Sequence, residues 1–327
     1  MRRRDFITLV GAAALPLAAR AQQIPTRRVG VVTVGIATDA FGKNNMAAFM
    51  QGLGALGWKE GVNLNIDWRW YGADAALAER QAAEIIATNP DVILAGGNPA
   101  VEKVRQQTKA IPVVFALVSD PVGMGYVESL AHPGDNITGF MSYDPPLYTK
   151  QLQMLTEITP PVRSVAILYN PRTAPYASRM LQAMEAASQA IGVTLRDAPC
   201  HDDAEIEAVM AALGQRGGSG LLAIAEIFNQ MHGEAIGRLA LKHKIPTNVF
   251  SPQMIASGGL MSYAIDFPDL FGRSTVYVDR ILKGEKPADL PVQAPTKFKL
   301  TLNLRTAKAL GIEFSPKLLA LADEVVE

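Results

Sequence analysis

Val92-Ile93-Leu94-Ala95-Gly96-Gly97-Asn98-Pro99 is followed by a helical stretch over residues 100–110, and then by Pro112-Val113-Val114-Phe115-Ala116-Leu117-Val118. Both apolar runs are short and uninterrupted, the pattern of strands covered on both faces. A helix joining two such strands is the crossover unit of a parallel sheet. The same rhythm extends upstream. Val29-Gly30-Val31-Val32-Thr33-Val34 reads as a strand, and residues 44–54 as a helix with Met46, Phe49, Met50 and Leu53 at spacings of three and four. Residues 64–70 alternate apolar and polar as a half-buried strand does, and residues 75–88 form a helix closed by Asn89-Pro90. Residues 137–141 give a fifth strand.

From residue 165 the pattern starts again. Strands are expected at 165–169, 193–199, 221–225, 247–250 and 260–263, and helices at 174–191, 205–213 and 233–242, with Gly192 ending the first of these. The fold class is therefore α/β, with two doubly wound parallel-sheet lobes. The C-terminal part breaks the rhythm. Residues 267–282 are helical, Pro287, Pro291 and Pro295 punctuate an irregular run, 297–302 alternate as a strand, and 306–310 and 316–326 read as helices. A chain crossing back between two finished lobes has this form. Lobe 1 is expected over 22–141, completed by about 267–293, and lobe 2 over 142–266, completed by about 297–327.

Composition narrows the function classes. Of 327 residues, 49% are hydrophobic and 19% charged, enough for a large core and too apolar for a disordered chain. Lys plus Arg and Asp plus Glu are both 31, so no positive field is available to hold nucleic acid or an anionic membrane. The one cysteine, Cys200, excludes an internal disulfide and multi-cysteine metal centres, and the four histidines lack metal-ligand spacing. No metal or cofactor is expected.

The N-terminus reads as a leader. Three arginines precede an apolar run at 7–19 that reaches only about 20 Å as a helix, short of a bilayer, and Ala19-Arg20-Ala21 supplies a cleavage site before Gln22. Arg3-Arg4-Asp5-Phe6-Ile7 resembles a twin-arginine export motif. Residues 1–21 are thus a signal peptide, and the mature chain is periplasmic. Cleavage removes four arginines and one aspartate, leaving 27 basic against 30 acidic residues.

Motifs for familiar chemistries do not hold up. Gly52-Leu53-Gly54-Ala55-Leu56-Gly57 matches a dinucleotide fingerprint as a string, but it stands at the end of the first helix rather than after the first strand. No phosphate-binding Gly-Lys-Ser/Thr loop and no Gly-x-Ser-x-Gly elbow occurs. Cys200 at a strand end reads as a small core residue, and Asp202 or Asp203 as a helix cap. Polar and aromatic residues remain at the carboxyl ends of strands, where open α/β sheets bind ligands. They are Phe41, Asn98, Asp120, Tyr143, Glu226, Phe250, Tyr263 and Asp266.

Several segments around these residues resemble the ABC-transporter substrate-binding family that includes tryptophan- and tyrosine-type components. They are Gly57-Trp58-x-Glu60-Gly61-x-Asn63, Ala95-Gly96-Gly97-x-Pro99, Asp120-Pro121-Val122, Pro133-Gly134-x-Asn136-Ile137-Thr138-Gly139, Gly258-Gly259-Leu260-Met261-Ser262-Tyr263 and Tyr277-Val278-Asp279-Arg280-Ile281-Leu282-Lys283-Gly284. The resemblance implies a type I periplasmic-binding-protein fold, its lobes joined by three crossing segments with ligand at the interface. It also implies a monomer, without enzymatic activity, that closes on a small organic ligand and docks to an inner-membrane permease. Asn98 stands where the family often has threonine, and the loop at 224–229 lacks the commoner proline and aspartate, so aromatic amino-acid specificity is not carried over. For a zwitterionic ligand, amides near Asn98 and Asp120 would hold the carboxylate and Glu226 or Asp266 the ammonium, with Tyr143, Phe250 and Tyr263 flanking the body. The alternatives are an exported sensor coupled to signalling, an exported enzyme using Asp120, Glu226 and Asp266, and a transcription regulator. The last would need a basic helix-turn-helix where the leader stands.

Overall fold

The computed structural model describes residues 26–142 and 145–327; the expected leader and Tyr143 lie outside them. The first half alternates β1 (Arg27–Thr33), α1 (Ala40–Ala55), β2 (Leu64–Trp70), α2 (Ala75–Ala87), β3 (Val92–Gly96), α3 (Asn98–Gln107), β4 (Val113–Val118) and β5 (Ile137–Met141). Its sheet has the order β2-β1-β3-β4-β5, and every pairing is parallel. β3 is buried along its whole length, as its unbroken apolar run requires.

The second half contains α4 (Pro145–Thr156), β6 (Ile158–Thr159), β7 (Ser164–Tyr169), α5 (Ala177–Ala190), β8 (Thr194–Pro199), α6 (Asp203–Gly214), β9 (Ser219–Ala223), α7 (Ile227–Met231) and α8 (Gly233–Lys242). β10 (Thr247–Val249), α9 (Pro252–Ala256), β11 (Met261–Ile265), α10 (Phe267–Leu282), β12 (Phe298–Asn303), α11 (Leu304–Leu310), β13 (Glu313–Phe314), α12 (Pro316–Leu321) and β14 (Glu324–Val326) follow. The second sheet runs β14-β12-β11-β10-β9-β7-β8, parallel except where β12 returns antiparallel beside β11. Two mainly parallel sheets, each flanked by helices, make the two lobes of a type I periplasmic-binding-protein fold.

The chain passes between the lobes three times. It leaves β5 for α4, leaves β11 for α10, and returns through residues 290–298 to β12. The returning strand is tied to the first crossing where Gln293 exchanges backbone hydrogen bonds with Gly139 and Met141. α10 packs on α1 and β4, burying Leu270, Phe271, Val278 and Leu282 among first-sheet residues. Gly52 makes that approach possible: a Cβ there would lie 2.6 Å from Thr275 Oγ1. The fingerprint-like glycines therefore serve helix packing and termination. Gly52 and Gly54 are inside α1, and Gly57 follows it at φ +91°.

Caps set the helix starts. Asp39, Asp74, Asp202, Ser251 and Asn303 each accept a backbone amide of the helix they precede. Cys200 is wholly buried in the second lobe's core. One expected element divides. In place of a helix over 316–326, α12 stops at Leu321, and β14 pairs with β12 while the Asp323 carboxylate accepts the Leu300 amide at 2.8 Å. Among the described residues, no helix is long and apolar enough to cross a membrane, and no group of three or more His, Cys, Asp or Glu is arranged to hold a metal ion.

Candidate functional site

The carboxyl ends of the parallel strands of both sheets meet at a small, mostly apolar cavity of about 70 Å³. The first lobe contributes Val34 after β1, Tyr71 after β2, Gly97 and Asn98 at the start of α3, and Leu117 of β4. The second contributes Thr173 after β7, Ala225 and Glu226 after β9, and Phe250 after β10, with Tyr176 and Gln230. This is where ligands enter open α/β sheets. A second interlobe cavity of about 310 Å³ adjoins it and shares Phe41, Gln230, Phe250 and Phe267 as wall.

The first-lobe side is held by a dense network. Gly97 sits at φ +91°, and a Cβ there would lie 2.7 Å from Tyr71 Oη. Tyr71 donates to Gly96 O at 2.8 Å, and burial drives its hydroxyl far above the ordinary range while the Ala100 amide pulls the other way. The Asn98 side chain clamps Ser119, donating to its carbonyl at 2.8 Å and accepting its amide at 2.9 Å. Its amide group is thus spent inside the first lobe.

On the facing lobe, Glu226 is 8% exposed and caps α7. Its carboxylate accepts the amides of Phe228 at 2.7 Å, Asn229 at 3.1 Å and Asn170 at 3.3 Å, and the Thr173 hydroxyl at 2.7 Å. Burial pushes its pKa up, and these four donors pull against that shift without cancelling it.

The sequence-derived residues separate into groups. Phe41, Asn98, Glu226 and Phe250 line the smaller cavity; Phe41, Phe250 and Asp266 line the larger. Asp266 caps α10 through the Asp269 amide at 3.0 Å and pairs with Lys297 Nζ at 2.8 Å. Desolvation opposes its ionisation, but Lys297 and the Asp269 amide together hold its carboxyl below the usual range. Asp120 and Tyr263 line neither cavity. Tyr263 stacks on Phe298 of the returning strand, ring centroids 5.7 Å apart. Asp120, at φ +51°, faces the other lobe, where Arg179 of α5 places Nη2 and Nε 2.7 Å and 2.9 Å from Asp120 Oδ2. Tyr143 lies outside the described residues, next to Ser142, which lines the smaller cavity.

Sequence reading passed over Tyr71, Thr173, Tyr176, Gln230 and Phe267. Tyr71 carries a usable signal, since it directly follows the end of an expected strand, and Phe267 a weaker one as the first residue of an expected helix. Tyr176 and Gln230 carry none; Tyr176 reaches the cavity from the turn before α5 and Gln230 from the five-residue α7.

Comparison with known proteins agrees with this fold. A curated relative, the tyrosine-binding protein of Clostridioides difficile strain R20291, is 24% identical over 270 residues, covering 81% of this chain and 76% of the relative. The structure of an ABC domain from Streptococcus pneumoniae in complex with L-Trp superposes with a TM-score of 0.83 at 23% identity, covering 92% of this chain and 100% of that one. A conserved domain protein of Vibrio cholerae gives the same TM-score of 0.83 at 27% identity, covering 92% and 99%. The family model described as ABC transporter substrate binding protein matches residues 29–326, which span both sheets, all three crossings and the cleft. The chain belongs to that ABC transporter substrate-binding family, a family of solute-binding proteins rather than a class of enzymes.

Proposed function

We propose that this chain is the exported receptor of an ABC importer, which closes two lobes on a small organic solute and delivers it to an inner-membrane permease. The observation that carries the reading is the apolar cavity between the lobes, built from the strand ends of both sheets. A ligand touching both lobes stabilises the closed arrangement, which hinge segments permit and a permease can sense. On this reading residues 1–21 are removed before Gln22 and the mature chain works in the periplasm as a monomer. The first lobe comprises 22–141 with about 267–293, and the second 142–266 with about 297–327. The packing of α10 on α1 and the pairing of β12 with β11 support that division.

The wall of Phe41, Tyr71, Tyr176 and Phe250 suits a solute with an apolar or aromatic body. The tyrosine-binding relative and the L-Trp complex make aromatic amino acids the first solutes to try. Thermal-shift screening of residues 22–327 against amino acids, aromatic acids and small carboxylates tests the reading. A solute at 100 times its Kd stabilises the native state by about 2.7 kcal/mol and raises the midpoint by a few degrees. A flat response across the panel would count against a receptor for these solutes.

A further inference from the structure

We propose that closing the lobes is coupled to protonation of Glu226, so that mild acid favours the closed receptor with or without solute; this rests on the receptor reading above. Every donor to the Glu226 carboxylate belongs to the second lobe: the amides of Asn170, Phe228 and Asn229 and the Thr173 hydroxyl. Those four bonds travel with that lobe when the two part. What the first lobe adds is cover. Ile227, the next residue, is 8% exposed and packs in one cluster with Val34, Tyr71, Val118 and Tyr126 of the first lobe. Val34, Gly97, Asn98 and Leu117 of the first lobe share the smaller cavity's wall with Glu226.

No cation lines this cavity. Tyr71 and Tyr176 are the other titratable side chains in its wall, and burial holds both hydroxyls far above their ordinary range, hence neutral. The charged groups on the surrounding elements are engaged elsewhere or exposed. Arg179 pairs with Asp120, Asp266 with Lys297 and Lys299 with Glu324, and His232, at the end of α7, places Nδ1 2.6 Å from Asp203. Arg172 is exposed in the loop that carries Thr173, and Asp39, in the wall of the larger cavity, caps α1.

A carboxylate enclosed by apolar surface without a counter-charge is driven toward its neutral form, and the four donors offset only part of that drive. Opening returns water to the cavity side of Glu226 and leaves its four bonds in place. Its proton affinity is therefore higher in the closed receptor than in the open one. A group that binds protons more tightly in one state shifts the equilibrium toward that state as the pH falls. Well above both values the lobes do not sense pH; the gain develops as acid titrates the group and levels off below both.

Double electron–electron resonance on residues 22–327, labelled through Ile36→Cys in the first lobe and Met231→Cys in the second, reads closure without any solute. From pH about 7.5 to about 5, the ratio of shorter to longer distances should rise about threefold or more with Glu226 present. It should stay level in Glu226→Gln, which keeps an acceptor but takes up no proton. Thr173→Val removes one donor to the charged carboxylate, so its transition should lie at higher pH than that of Thr173, and it serves even if Glu226→Gln does not fold. A level ratio in the parent protein overturns the linkage, as does a response that survives Glu226→Gln or keeps its midpoint in Thr173→Val. Calorimetry with L-tryptophan at pH about 5.5, in two buffers of different ionisation enthalpy, adds the solute. Proton uptake on binding supports the proposal. Proton release, or binding that weakens in acid, overturns it by showing a solute cation seated on Glu226. If L-tryptophan binds at no pH, the amino-acid reading of the receptor fails, and the solute-free distances still decide the linkage.

Discussion

Arg179→Ala should weaken solute binding without weakening the fold, because the Arg179–Asp120 pair is made between the lobes rather than within either. The guanidinium places Nη2 at 2.7 Å and Nε at 2.9 Å from one carboxylate oxygen. The side chains are 50% and 27% exposed, so solvent screens the pair heavily. Exposed ion pairs contribute about 0.2–1 kcal/mol, and the two-nitrogen contact places this one toward the upper end. If the free protein is mainly open, a loss of about 0.5–1 kcal/mol from the closed form raises the apparent Kd by roughly two- to fivefold. Calorimetry at about 20 mM and about 500 mM salt would read both the loss and its screening. The variant should bind more weakly at low salt, approach wild type at high salt, and melt within a degree or so of it. Arg179→Lys keeps the charge without the planar fork and should fall between the two. Equal affinities at low salt, or a loss that salt does not change, would refute the account of this pair as a closure contact.

Three further outcomes follow from particular residues. Gly97→Ala forces a Cβ into a φ +91° position and against Tyr71 Oη, so its denaturation midpoint should drop by about 1–3 kcal/mol of stability; an unchanged midpoint would show that the loop relaxes freely. Cys200 is 0% exposed and its thiol is pushed up to about 12, so Ellman's reagent at pH 8 should react on the order of a thousandfold more slowly than with a free thiol until denaturant is added. The Asp266 carboxyl is held below its ordinary value in the folded state, so its ion pair stabilises above that value and the benefit is lost on acidification. Asp266→Asn should therefore lower Tm at pH 7, and the gap to wild type should close as the pH falls below about 4.

The fold was legible wherever burial imposed a period. The unbroken runs in β1, β3, β4, β7 and β9 could belong only to strands covered on both faces, and the expected spans of α8, α10 and β5 coincide with the observed ones. α4 was passed over although its stripe of Leu147, Tyr148, Gln151, Leu152 and Leu155 is buried at helical spacing. The five-residue helices α7 and α9 are too short to show a period, and only their caps, Glu226 and Ser251, announce them. β14 was read as helix because three residues carry no decisive pattern; pairing with β12 settles them.

The site was legible as a set of strand ends and less so as a set of roles. Strand-end position brought Asn98, Glu226 and Phe250 to one cavity, which Phe41 joins from the first turn of α1. Nothing local revealed that Asn98 serves Ser119, that Glu226 already accepts four donors, or that Asp120 reaches Arg179, 59 residues away. Asn45 falls on the same stripe as Phe49 and Leu53, at spacings of four, and is buried with them on the inner face of α1.

Spin labels on the two lobes would test the central claim, closure on a solute, most directly. Ile36 follows β1 in the first lobe and is 47% exposed; Met231 ends α7 in the second and is 53% exposed. With Cys200 buried, Ile36→Cys/Met231→Cys can be labelled selectively, and double electron–electron resonance reads the distance with and without the solute giving the largest thermal shift. The account predicts a longer-distance population in the free protein that collapses into a single shorter one on binding. A solute that binds and leaves the distance distribution unchanged would contradict it.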